Sequence, residues 1–137
     1  MGQFYLTQVA PAAITTATDL FEITVATDRP IRVWGWYIYQ TTELGDAAEE
    51  VLGITLERGV TAGTGGATAG TPAALHDRAS AAGYTANKHV TTAHTGGTVL
   101  MRRGWNVRIP EEFWFTPETA PRIDAAGDPV TLTVTAP

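Results

Sequence analysis

The chain of 137 residues has no cysteine, one lysine and one serine, and only 17% of its residues are charged. Without cysteine it forms neither disulfide bonds nor thiolate zinc sites, so packing or assembly must stabilise it. The charged fraction is below the roughly 25% of an ordinary soluble domain and predicts a largely uncharged surface. The longest apolar run, Val33 to Tyr39, is far shorter than the roughly 20 residues of a bilayer span. We therefore expect no membrane partner.

Basic residues are also scarce, with nine lysines and arginines against 14 acidic residues and a net charge of −5. A surface that binds nucleic acid usually has a clustered basic face, so nucleic acid is not an expected partner. Residues 1–20 contain neither a cationic segment nor a continuous apolar stretch, and they predict no secretion signal. A chain of this length is expected to form one domain.

Threonine (23 residues) and alanine (21 residues) fill much of the chain, and apolar side chains alternate along several segments at period two. Phe21, Ile23 and Val25 follow this pattern, as do residues 52–56 and 130–134. Such alternation is typical of half-buried strands. The sequence predicts an all-β fold, a jelly roll or β-sandwich of about eight antiparallel strands. These strands are expected near residues 4–9, 20–26, 31–40, 50–58, 86–92, 98–103, 105–109 and 129–135.

Three segments depart from the strand pattern. Asp46 to Glu49 predicts one short helical turn with Asp46 as its N-cap. Residues Gly59 to Gly70 have no hydrophobic period and predict a long, glycine-rich loop, which is either a mobile excursion or a contact with a neighbouring subunit. Residues 1–19 are expected to form an N-terminal arm, and residues 20–137 the single β domain.

No group of residues carries a catalytic or ligand-binding signature. His89 and His94 are five residues apart, which does not match the spacing of a helical zinc site. Ser80 lacks the glycines of a nucleophile elbow. Glu111 and Glu112 are adjacent, so a strand would point them to opposite faces. We predict no catalytic, cofactor or metal site and no enzyme, and keep a small enzyme that uses Glu111 and Glu112 as an alternative.

The aromatic residues are more informative. In an extended strand Trp34 and Trp36 lie on one side, with Tyr37 and Tyr39 on the other. Such a strand is either buried on both faces within the monomer, part of an oligomer interface, or part of a carbohydrate-binding cleft. The aromatic residues 113–115 are open to the same three interpretations. The sequence leaves the three interpretations open.

Four sequence segments resemble a family of small proteins encoded in bacteriophage and prophage genomes. They are Gln40 to Glu50, Leu56 to Gly66, Arg103 to Arg108 and Thr116 to Pro121. The similarity runs from about residue 31 to residue 134. It lies in turns and strand ends rather than in a catalytic signature. Members of this family are regarded as virion components, and a small β domain of this kind resembles capsid decoration proteins, which bind the outside of the shell, often as trimers.

The resemblance implies a bacteriophage virion structural protein, most simply a capsid decoration or cement protein that stabilises the head. Its partners would be the major capsid protein and itself, as a homotrimer, without a cofactor. It would be assembled in the host cytoplasm and sit on the outer capsid surface of the virion. The alternative is a component of the tail, baseplate or fibre that binds glycans through the aromatic strands.

Contact with the shell is expected from the arm first, then from the glycine-rich loop and the aromatic strand. The residues predicted at the interface are Phe4, Tyr5, Leu6, Trp34, Trp36, Tyr37, Tyr39, Val60 and Trp114.

Overall fold

The computed structural model describes residues 3–9, 17–26, 29–41, 51–68, 72–77, 80–90, 92–124 and 130–135. Within these ranges the chain is all-β, every strand pair is antiparallel, and no helix is present. A helix able to cross a membrane is accordingly not found among the described residues. The strands are β1 (Tyr5–Leu6), β2 (Thr18–Val25), β3 (Ile31–Arg32), β4 (Gly35–Ile38), β5 (Val51–Arg58), β6 (Ala67–Thr68), β7 (Ala73–Ala74), β8 (Tyr84–Val90), β9 (Thr98–Asn106), β10 (Glu111–Trp114), β11 (Arg122–Ile123) and β12 (Val130–Thr135).

Six strands form one sheet in the order β6-β8-β2-β12-β5-β9. Three strands at its centre, β2, β12 and β5, are those predicted from alternating apolar residues near 20–26, 129–135 and 50–58. Leu132 on β12 is in register with both Phe21 and Leu56. One face of the sheet therefore carries the apolar side chains. The buried core consists of Leu20, Val25, Ile54, Leu56, Trp105, Val107 and Ile123.

The remaining strands pair as three ribbons of two strands each: β1–β7, β4–β10 and β3–β11. Two of these ribbons cover the apolar face of the sheet. The β3–β11 ribbon contributes Ile31 and the fully buried Ile123, and the β4–β10 ribbon contributes Trp36 and Ile38. The core thus lies between the large sheet and these two short ribbons.

The opposite, polar face of the sheet is covered by two other segments, residues 59–66 and 92–97, which we call the crossing pair. They are joined by two isolated bridges, Thr61 with Thr95 and Thr64 with Thr92. At Gly63 a Cβ atom would clash with the Thr92 carbonyl oxygen and would lie 2.5 Å from a methyl carbon of Val90, so the close approach requires glycine there.

A β-bulge in β2 determines which of its side chains point to the polar face. The β2–β12 register shifts so that Thr133 lies opposite Asp19 and Leu132 opposite Phe21, which leaves Leu20 as the extra residue. Asp19 and Glu22 are three residues apart and would lie on opposite faces of a regular strand. The bulge places both on the polar face, where they are 0% and 1% exposed.

Both buried carboxylates hold the crossing pair. Asp19 accepts hydrogen bonds from the His94 backbone N–H (2.9 Å) and the Thr133 hydroxyl (2.8 Å). Glu22 accepts one from the Gly63 backbone N–H at 2.7 Å. A buried carboxylate is costly unless it is hydrogen-bonded, so these contacts fix where the two segments cross the sheet.

The His94 ring completes this arrangement, which we call the His94 cluster. Its Nδ1 lies 3.0 Å from Asp19 Oδ1, and its Nε2 lies 2.9 Å from Glu57 Oε2 on β5. Burial of the ring lowers the His94 pKa, but hydrogen bonds and negative charge from Glu57 and Asp19 outweigh it. The pKa is therefore raised above its ordinary value of 6.5. In its protonated form the ring donates a hydrogen bond to each carboxylate.

The strand boundaries differ from the sequence prediction in several places. The predicted strand 31–40 is two strands, because the Val33 N–H donates to the Pro121 carbonyl while the Trp34 carbonyl accepts from Phe115, so the chain changes partner there. The predicted strand 98–103 and the start of the predicted strand 105–109 are one strand, β9, which continues through Gly104 and ends at Asn106. The prediction is wrong for residues 107–109, which form a turn. The four short strands β6, β7, β10 and β11 were not predicted.

Three other predicted segments, the loop, the helical turn and the arm, compare with the structure as follows. In the predicted glycine-rich loop, residues 59–66 form no regular strand and are joined to residues 92–95 only by the two isolated bridges, while residues 67–68 form β6. The helical turn at Asp46 to Glu49 lies outside the described residues. In the predicted arm, β1 pairs with β7, and Thr18 and Asp19 already belong to β2.

The raised pKa of His94 predicts a pH-dependent stability. Between the unfolded pKa of about 6.5 and the higher folded pKa, the folded chain binds more protons than the unfolded chain. This contribution is full below pH 6.5 and is lost as pH rises through the folded pKa, with a slope of at most about 1.4 kcal/mol per pH unit. Urea unfolding from about pH 5.5 to about pH 9 measures it. His94→Gln should lack this component, and equal pH slopes in both proteins would contradict the assignment.

Removal of the Asp19 carboxylate predicts a large loss of stability. Asp19→Ala leaves the His94 ring and the Thr133 hydroxyl without their acceptor, at a cost of about 3–5 kcal/mol. Asp124→Ala is the matched control, because its ion pair with Arg122 is exposed and contributes at most about 1 kcal/mol. Urea midpoints that are equal for the two variants would show that the His94 cluster does not stabilise the fold.

Candidate binding surface

The β4–β10 ribbon has two faces with different roles. Its register places Gly35 opposite Trp114 and Tyr37 opposite Glu112. These side chains point away from the core, and Tyr39 follows at the next outward position of the same face. We call the five residues the aromatic face. Its rings are strongly exposed, Trp114 by 66%, Tyr37 by 56% and Tyr39 by 53%.

The inner face anchors this ribbon. Trp36 stacks on Phe113 with ring centroids 5.1 Å apart and meets Phe115 edge-on at 5.8 Å. The Arg103 guanidinium lies 4.9 Å from the Phe113 ring centroid and forms a 3.0 Å ion pair with Glu111. These contacts tie the short ribbon to β9 and hold its backbone in place, so the outward rings stand on a fixed base.

Gly35 sets the position of the Trp114 ring. A Cβ atom at Gly35 would lie 2.9 Å from the Trp114 ring and would clash with the Phe113 carbonyl oxygen. The indole therefore lies across the glycine, in the space where a side chain would stand. Trp114 nevertheless remains two-thirds exposed.

Polar groups border these rings. The Tyr37 and Tyr39 rings are 5.4 Å apart at an angle of 38°. Within the described part of the chain, no hydrogen bond or ion pair engages the Tyr37 hydroxyl, the Tyr39 hydroxyl or the Glu112 carboxylate. The aromatic face therefore offers apolar rings together with uncommitted donors and acceptors, and the charge it carries is negative.

A second exposed apolar surface lies on the β1–β7 ribbon. We call Phe4, Leu6 and Leu75 the N-terminal apolar surface. These residues are 46%, 49% and 64% exposed, and the Leu75 N–H donates to the Phe4 carbonyl. The ribbon is held to the rest of the chain because the Tyr5 hydroxyl donates to the Ser80 carbonyl at 2.6 Å.

The predicted interface residues have different environments. Five are exposed and lie on the two surfaces: Phe4, Leu6, Tyr37, Tyr39 and Trp114. Tyr5 and Trp34 are half-buried, and the Trp34 ring lies 6.1 Å from that of Phe4. Trp36 faces the core, and Val60, which belongs to the crossing pair, is 2% exposed, so neither side chain offers an open surface to a partner.

The described residues provide little for catalysis. Glu111 lies on the inner side of its ribbon, paired with Arg103, and Glu112 lies on the outer side, so the two do not face each other across a cleft. Both nitrogens of the His94 ring are engaged by carboxylates. No group of histidine, aspartate and glutamate able to hold a metal ion is found in the part of the chain that the structure describes.

Sequence reasoning missed two features of the molecule. The first is the His94 cluster, whose members are far apart in sequence and share a face only because of the bulge at Leu20. The second is the role of Gly35, which becomes visible only when β10 is known to pair with β4. The alternation of rings along residues 36–39 was a usable signal, and it assigned Trp36 and Tyr37 to opposite faces.

Comparisons with known proteins give no relative. No protein-family model matches the chain, and neither the curated proteins nor the solved structures contain a match.

The two faces of β4 predict opposite responses to truncation. Trp36→Ala removes a ring packed between Phe113, Phe115 and the core and should cost about 3 kcal/mol. Trp114→Ala removes an exposed ring and should cost less than about 1 kcal/mol. Urea unfolding of both variants measures the difference. A loss for Trp114→Ala as large as that for Trp36→Ala would mean that the outer ring belongs to the core.

Proposed function

We propose that this protein is a bacteriophage virion structural protein, a capsid decoration or cement protein that binds the outer surface of the head and stabilises it. The observation that supports this proposal most directly is the N-terminal apolar surface. Phe4, Leu6 and Leu75 stay exposed although their ribbon is docked on the chain. Contiguous exposed apolar side chains on a folded domain mark a contact with a partner. The partner we propose is the major capsid protein.

The energetics of apolar burial suit this role. Full burial of one phenylalanine or leucine side chain contributes about 1.5–3 kcal/mol. Three such residues give each subunit a moderate affinity, which many copies on a shell multiply through simultaneous contacts. The proposal also takes up the sequence resemblance of residues 31–134 to phage and prophage proteins, for which the comparisons found no matching family model.

The proposal also covers the fold and the oligomeric state. We propose that the six-stranded sheet and its covering ribbons form a β-sandwich or jelly roll, supported by the core that lies between them. We also propose a homotrimer, since decoration proteins of the resembled kind are often trimers and closed symmetry suits a capsid lattice. Light scattering on the purified protein tests this: a mass of three times 14.6 kDa is expected, and a monomer would contradict a preformed trimer.

A rebinding experiment tests attachment to the shell. Heads of the phage that encodes this chain, prepared without the protein, should lose resistance to heat and regain it when purified protein is added. Leu6→Asp with Leu75→Asp should abolish rebinding, because burying unpaired carboxylates in an apolar contact is costly. Ile109→Asp, at a residue 62% exposed outside this surface, is the control and should rebind.

Two results would overturn the proposal. One is an unchanged heat resistance of heads that lack the protein, with no binding when it is added. The other is normal rebinding of the Leu6→Asp and Leu75→Asp variant, which would exclude the N-terminal apolar surface as the contact. Binding to isolated tails instead of heads would favour the alternative, a tail, baseplate or fibre component.

A further inference from the structure

We propose that the aromatic face of the β4–β10 ribbon is a binding site for neutral oligosaccharides. The site comprises Gly35, Tyr37, Tyr39, Glu112 and Trp114. The proposal does not depend on whether the protein sits on the head or the tail, because it concerns a different surface from the N-terminal apolar surface.

The ring of Trp114 has the geometry of a stacking platform. The indole lies across Gly35 and occupies the space where a side chain at position 35 would stand. Trp114 is 66% exposed. A pyranose ring has one face lined by C–H groups, which packs against an open aromatic ring and loses little hydration there. Because the glycine and the strand backbone hold the indole from below, little side-chain freedom remains to be lost on binding.

The rings extend the platform along the strand. Tyr37 and Tyr39 occupy alternate positions of the same face, roughly 7 Å apart along the backbone. Trp114 lies opposite Gly35, two residues before Tyr37. The three rings therefore form a row longer than one sugar unit, which favours an oligosaccharide over a monosaccharide.

The polar groups of the face favour hydroxyl-rich, uncharged ligands. The Glu112 carboxylate lies opposite Tyr37 and is free to accept hydrogen bonds from sugar hydroxyls, as charged acceptors do strongly. The two phenol groups both donate and accept. Glu112 is the charged residue at the described positions of this face, so anionic sugars and phosphates meet repulsion there.

The same carboxylate disfavours a second copy of the chain as the occupant. If two aromatic faces packed together, Glu112 would be buried near the rings of the partner, with no cation at the described positions of the face to pair with it. An unpaired buried carboxylate costs several kcal/mol. A sugar leaves the carboxylate hydrogen-bonded and partly hydrated.

Affinity electrophoresis tests the proposal. The purified protein is run in native gels that contain dextran, laminarin or galactomannan as neutral probes, or alginate as an anionic probe. We expect retardation in at least one neutral gel and none in alginate. Trp114→Ala and Tyr37→Ala should each weaken the apparent affinity at least tenfold. Leu75→Ala, which removes an equally exposed apolar side chain from the other surface, should migrate as the unchanged protein does.

Several outcomes would overturn the proposal. They are the absence of retardation in all three neutral gels, retardation in alginate alone, and unchanged retardation of the variant that combines Trp114→Ala with Tyr37→Ala. A fourth is a fall in the light-scattering mass on Trp114→Ala, which would identify the face as a contact between copies. Thermal unfolding of each variant verifies that it is folded, and Tyr37→Ala keeps the test decisive if Trp114→Ala unfolds.

Discussion

The buried carboxylate of Asp19 is the contact on which the arrangement of the chain depends. It accepts hydrogen bonds from the backbone of the crossing pair, from Thr133 on β12 and from the His94 ring, which also reaches Glu57 on β5. One side chain thus joins β2, its neighbour in the sheet and the segment that covers them. Without these donors the carboxylate would be unpaired in the interior, so the crossing is fixed by the need to satisfy it.

The two faces of the sheet are covered by different elements. The crossing pair covers the polar face of the sheet, and the β3–β11 and β4–β10 ribbons cover the apolar face. A ribbon of two strands is at best marginally stable alone, so each must pack its inner face on the sheet. On β4 the inner face uses Trp36, while Tyr37 and Tyr39 remain outside. Exposed aromatic rings on a well-anchored ribbon are more useful for binding than for folding.

The sequence predicts the parts of this fold that follow a regular period. Alternation located β2, β5 and β12 within a few residues and assigned Trp36 and Tyr37 to opposite faces of β4. It failed where the period breaks: the bulge at Leu20 brings Asp19 and Glu22 onto one face, against the expectation for a regular strand. Strands of two to four residues are too short to show a period. The pairing of residues 59–68 depends on partners that no local pattern reveals.

The low charge of the chain has a consequence for how both proposed surfaces work. Few charges mean weak electrostatic steering, so association through either surface is expected to be slow and nearly independent of salt. On the virion that we propose, many copies would compensate for modest single contacts, since linked contacts gain from a high effective concentration. The Phe4–Trp34 ring contact connects the two surfaces, because Trp34 directly precedes β4.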